Sequence, residues 1–158
     1  MRYTLIVLAV LMMQGCATKL AEDQHEKLMD YGMSNSKKIE IKNSETSKTY
    51  VTITYLNPIS HELVSQESEK FIVGTYIATG DGSFEKATLS GFKVNGSDEN
   101  ITLTPLNQDA PLLKLISTTN AWTNYMLVQA PKTEQIQMEF SFENDQSKRV
   151  TTNFRKDY

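Results

Sequence analysis

The sequence predicts an all-β protein: an antiparallel β-sandwich of the immunoglobulin-like or transthyretin-like kind over residues 50–158, behind a signal peptide and a polar tether. Three observations carry this. The second two-thirds of the chain is a series of short runs rich in β-branched and aromatic side chains. These runs are punctuated at short intervals by turn formers: Asn57-Pro58, Gly80-Asp81-Gly82, Asn95-Gly96 and Pro131. No long stretch repeats its apolar residues at the helical spacing of 3.6. The likeness is architectural only, because one cysteine cannot supply the intersheet disulfide of antibody domains.

Each run follows the period-2 logic of a strand, whose successive side chains point to opposite faces. Tyr50 to Leu56 places Val51, Ile53 and Tyr55 on one face, and Asn57-Pro58 stops it. Lys70 to Thr79 has Phe71, Val73, Thr75 and Ile77 on one side and Ile72, Tyr76 and Ala78 on the other. Apolar groups on both faces predict a central strand. After the Gly80 turn comes Ala87 to Val94, with Gly91 as a candidate bulge and Asn95-Gly96 as its end. Ile101 to Leu106 and Leu112 to Ser117 are shorter strand candidates beside Pro105 and Pro111. Ala121 to Ala130 alternates with Trp122, Met126 and Val128 against Tyr125 and Leu127, with Trp122 expected in the core. Ile136, Met138, Phe140 and Phe142 alternate cleanly with polar residues, and Val150, Thr152 and Phe154 line the last strand. About eight or nine short strands at such spacing make a sandwich or a small barrel.

The N-terminus has a different logic. Arg2 precedes an apolar run from Tyr3 to Met13, and Gln14-Gly15-Cys16 follows. A charged start, a short apolar core and a small residue before the cut form a secretory signal peptide over residues 1–15. The run falls far short of the ~20 residues that span a bilayer. The single cysteine of an exported chain then needs an explanation, and its place at the cut supplies one. Met13-Gln14-Gly15-Cys16 resembles the lipobox of bacterial lipoproteins, in which the cysteine becomes the lipid-modified first residue. The family usually has Leu and a small residue where Met13 and Gln14 stand, so the resemblance rests on Gly15, Cys16 and the apolar run. It implies diacylglyceryl modification of the Cys16 sulfur, commonly with a third chain on the new amino group. Two or more chains hold a protein stably to a membrane. Ala17, in place of the Asp that retains many such proteins at the inner membrane, implies the outer membrane and a periplasm-facing domain. The inner membrane and the cell surface are the alternatives.

Residues 16–49 read as the lipidated N-terminus and a spacer. Leu20, Leu28, Met29 and Tyr31 form a weak stripe on a short helix ending near Gly32, and Met33 to Lys38 is turn-like. Lys38 to Lys42 alternates as a short strand would, and Asn43 to Lys48 is polar. A flexible tether is the simplest reading of the whole segment. The chain has 158 residues and a formal charge of −3; loss of residues 1–15 removes only Arg2, giving −4. An acidic chain without a basic cluster excludes nucleic acid as the expected partner and offers no Lys/Arg cluster for anionic headgroups.

Motifs for chemistry are missing. His25 and His61 are far apart, and His25 falls in the tether. A zinc site needs three or four ligands, and an acylated Cys16 offers no thiolate. His61-Glu62 lacks the second histidine of a metalloprotease helix, and no Gly-x-Ser-x-Gly elbow places a nucleophile. Gly80-Asp81-Gly82-Ser83-Phe84-Glu85 lacks the alternating ligands of a calcium loop. Asp98, Glu99, Asn100 and Asp109 serve as turn formers unless the fold gathers them at one end. No catalytic, metal or cofactor site is expected. The expected function is a noncatalytic protein-interaction or assembly module with another envelope protein as partner. Strand addition at an exposed edge is its natural mode, with Val150 to Phe154 and Lys38 to Lys42 as candidate edges. The alternative is a small-ligand or glycan-binding module, with a hydrolase last.

Overall fold

A computed structural model describes residues 30–59 and 61–156. The expected signal peptide, Cys16, His25 and the first part of the expected spacer lie outside the described residues. The strands are β1 (Ser36–Lys42), β2 (Ser47–Tyr55), β3 (Ser68–Thr79), β4 (Phe84–Glu85), β5 (Ser90–Val94), β6 (Thr102–Leu106), β7 (Asn124–Pro131), β8 (Gln137–Glu143) and β9 (Arg149–Arg155). They form two antiparallel sheets packed face to face, the all-β sandwich expected from the sequence. One sheet has the order β1-β2-β3-β7-β6, with β4 on β3; the other has the order β5-β8-β9.

The alternation of apolar residues sets the register. Val51, Ile53 and Tyr55 of β2 face inward with Phe71 and Val73 of β3, Val128 of β7, Met138, Phe140 and Phe142 of β8 and Phe154 of β9. Phe71 lies 4.7 Å from Phe140 and 5.4 Å from Phe154, ring centre to ring centre, so aromatic rings tie the sheets together. A second apolar cluster sits on the outer face of the larger sheet. Ile72, Tyr125 and Leu127 point into it and are covered by Leu56, Ile59, Val64, Leu113 and Leu115. This is why β3 is apolar on both sides: it is central in its sheet and covered on both faces. Gly91 has φ +56°, and the β5–β8 register shifts between Ser90 and Lys93. That is the bulge its sequence position predicts.

Four expectations change. Residues 36–49, read as tether, belong to the sandwich. Ile39 is half-buried and Ile41 buried against the core, so β1 has an inward face to bury. The polar stretch after it is the hairpin turn, closed by the Asn43 and Ser44 N–H groups donating to the Ser47 carbonyl. Residues 30–34 are helical rather than turn-like at their end, and the Ser36 and Asn35 side chains donate to the Gly32 and Tyr31 carbonyls. Leu112 to Ser117 is not a strand: Pro111–Leu115 is a 3-10 helix with the proline in its first turn, where a missing N–H costs nothing. Finally, the alternating runs from Ala121 and from Ile136 enter their strands later than their apolar residues imply. Ile136 and Trp122 precede β8 and β7 and are 52% and 47% exposed.

Candidate functional site

Both candidate edges are edges. β1 borders the larger sheet and β9 the smaller one. β1 pairs with β2 along its whole length, from Ser36 opposite Thr54 to Lys42 opposite Lys48, and its other side has no strand partner among the described residues. Lys37, Lys38 and Lys42 are exposed along it, which makes this edge basic on an acidic chain. Glu40 is matched by Lys48 of β2 at 2.6 Å. The hydrogen bond from Lys48 lowers the Glu40 carboxyl below its ordinary range and raises the lysine.

Beside this edge the outer face of the larger sheet is hollowed into an open groove of about 420 Å³. Its floor is made by even-numbered positions of β1, β2 and β3 with Thr123 and Tyr125, and its wall is the segment 116–120. Gly74 shapes the floor. A Cβ there would come within 2.8 Å of the Tyr125 ring, so only glycine lets that ring lie across β3. The Tyr125 hydroxyl in turn accepts the Asn120 N–H at 3.1 Å, fastening the wall to the floor. Tyr50 and Tyr76 stack across β2 and β3 at 5.2 Å. Burial, then the neighbouring Tyr50, raises the Tyr76 phenol above its usual range, so it stays protonated at neutral pH.

The aromatic row continues outward. Phe84 meets Tyr76 edge-on at 5.7 Å, and Trp122 stacks on Phe84 at 4.8 Å with 12° between the planes. Phe84 and Trp122 are each about half exposed. Asn120 holds the loop that carries Trp122: its Oδ1 accepts both the N–H and the hydroxyl of Thr123, at 2.9 and 2.6 Å.

A charged pair lies at the end of the intersheet core. Glu69 and Lys156 are 1% and 9% exposed and 2.5 Å apart. The Tyr55 hydroxyl and the Thr133 N–H donate to the same carboxylate at 2.7 and 3.0 Å, and the Thr133 carbonyl accepts from the ammonium. Burial alone would raise the Glu69 carboxyl; Lys156, the Thr133 N–H and the Tyr55 hydroxyl together outweigh it and hold the carboxyl below its usual range. An acid so held is ionised at neutral pH and suits a structural clasp better than a proton donor.

The residues weighed for chemistry are not brought together. His61 Nδ1 accepts the Leu63 N–H at 3.2 Å, a local turn bond. Asp81 accepts the Thr79 hydroxyl at 2.5 Å and the Ser83 N–H at 3.0 Å, which lower it to about 2. Asp109 lines the depression that holds His61, whereas Glu99 lines another. Among the described residues no three His, Cys, Asp or Glu lie close enough to hold a metal ion. No helix among them is long and apolar enough to cross a membrane. Cys16 lies outside them. Sequence comparison finds no matching protein family and no matching curated protein.

Sequence reasoning did not find the Glu69–Lys156 clasp, whose partners are 87 positions apart. It also missed the aromatic row. Tyr50, Tyr76, Phe84 and Trp122 belong to four separate segments, and only the strand register aligns them. The available signal was the even-numbered aromatics on both β2 and β3.

Proposed function

We propose that this chain is a lipid-anchored, noncatalytic envelope protein, held at the outer membrane through Cys16 and facing the periplasm, whose sandwich binds another envelope protein along β1. The observation that supports this reading best is the exposed β1 edge. Its backbone N–H and C=O groups are a ready template for one more antiparallel strand. The lysines along it decide what is accepted. Lys42 is already paired with Glu45 at 2.6 Å, and exposed Lys37 and Lys38 would match an extended acidic segment, so the edge favours an acidic strand. The signal peptide and Gly15-Cys16 supply the location, and the hairpin 36–55 lies close in sequence to the anchor.

The test is co-purification from membranes solubilised in detergent, comparing the native chain with Lys37→Glu/Lys42→Glu. Lys37 is exposed, and the Lys42–Glu45 ion pair that the variant removes is exposed at both ends, so the melting transition should stay close to native. A specific protein recovered with the native chain and lost with the variant is the expected result. Recovery of the same proteins by both would contradict binding along β1.

A further inference from the structure

The groove and the aromatic row make a second surface, on the sheet face rather than at its edge. We infer that this surface is a carbohydrate-binding site that takes a segment of an uncharged glycan chain, with a sugar ring stacked on the Trp122–Phe84 platform and its neighbours hydroxyl-bonded in the groove.

Three features point to that ligand class. The first is the platform. Among the described residues, Trp122 and Phe84 are the two aromatic side chains whose flat rings are stacked yet left about half exposed. A core would have covered them, and a large amphipathic ring held at a surface is a typical recognition group. Trp122 is also held in place before any ligand arrives, because Asn120 bonds Thr123 twice and Tyr125 once. Such ordering lowers the cost of binding.

The second feature is the chemistry of the lining. Thr52, Ser117, Thr118 and Asn120 present hydroxyl and amide groups beside the phenols of Tyr50 and Tyr76, while Thr54 and Thr123 are buried beneath them and bonded to Ser36 and Asn120. Hydroxyls both donate and accept, which matches a ligand that is itself made of hydroxyls. A purely apolar occupant would leave such groups unpaired on burial, at a cost. The third is charge. Among the lining residues only Lys38 and Glu40 carry charge, one of each sign, and Glu40 is already matched by Lys48. Nothing there selects an anion. The floor spans β1, β2, β3 and β7, three strand spacings or about 14 Å, so it suits a chain rather than a single sugar.

Trp122 is the only tryptophan, so its emission reports on the platform directly. The full chain, purified from membranes in a zwitterionic detergent without a sugar head group, is titrated with chitotetraose, cellotetraose and maltotetraose. Emission and calorimetry are both recorded. At least one tetrasaccharide should shift the Trp122 emission saturably. Phe84→Ala, and Trp122→Ala read by calorimetry, should each weaken binding by about three- to tenfold while keeping the native melting transition. Lys37→Glu/Lys42→Glu, which tests the edge, should leave the sugar titration unchanged, so the two surfaces stand or fall separately. No saturable change with any of the three sugars would overturn the inference, as would binding that survives removal of both rings. Loss of a co-purifying protein in Trp122→Ala, without sugar binding by the native chain, would assign the platform to a protein partner instead.

Discussion

Removing the Lys156 ammonium should invert part of the pH dependence of stability. Glu69 is 1% exposed, and three groups hold its charged form: Lys156 Nζ, the Thr133 N–H and the Tyr55 hydroxyl. In the native chain its carboxyl sits below the ordinary 4.5. Its contribution to stability is therefore fully present above the unfolded value and is lost as pH falls through the lower folded one. Lys156→Met leaves a buried carboxylate facing only two dipolar donors, so burial dominates and the carboxyl rises. The folded state then binds the proton more tightly than the unfolded chain, and this contribution grows as pH falls. At neutral pH the loss should be about 3–5 kcal/mol, the cost of stranding one member of a buried pair. For a chain of this size that is about 10–20 °C in Tm. Glu69→Gln/Lys156→Met keeps an acceptor for Tyr55 and Thr133 without the charge, and should recover all but about 1 kcal/mol. Urea midpoints for the three proteins between pH 7 and pH 4 provide the assay. A Lys156→Met midpoint within about 0.5 kcal/mol of native, with the native pH profile, would refute the reasoning by showing a solvent-screened pair.

Phe140 is fully buried, with Phe71, Phe92 and Phe154 around it, and Phe140→Ala should cost about 3–5 kcal/mol. Glu139→Ala, on the exposed face of the same strand, should stay within about 0.5 kcal/mol; equal midpoint shifts would contradict the β8 register. Cys16→Ser should abolish acylation and membrane retention, and mass spectrometry showing native cleavage elsewhere or a free thiol would contradict the anchor. His61→Ala, which loses only a turn acceptor, should leave cellular function intact at normal abundance; its loss would favour a catalytic reading.

Much of the fold was legible because period-2 alternation is a local signal. The strong cases are β3 and β8, whose inward positions Phe71, Val73, Met138, Phe140 and Phe142 are all buried. The misreadings have physical causes. A 3-10 helix and a short strand both need a few apolar residues beside a proline, so Pro111–Leu115 was ambiguous until its place over Tyr125 and Leu127 was known. The β1 hairpin looked like a spacer because an edge strand buries few side chains and carries charge on the rest. Trp122 and Ile136 obey the alternation of the runs they precede, but the chain has not yet entered the sheet at either residue. Sites are harder to read. Tyr50, Tyr76, Phe84 and Trp122 become neighbours only through the pairing of β2, β3 and β4 and a loop fixed by Asn120.

Photocrosslinking in intact cells tests the central claim, recognition along β1, most directly. A photoreactive amino acid replaces Lys37 on the exposed edge in one strain and Glu139 on the exposed face of β8 in another. Binding along β1 predicts a discrete adduct with one protein from the Lys37 position, and none from Glu139. No adduct at Lys37, or the same adducts from both positions, would contradict it.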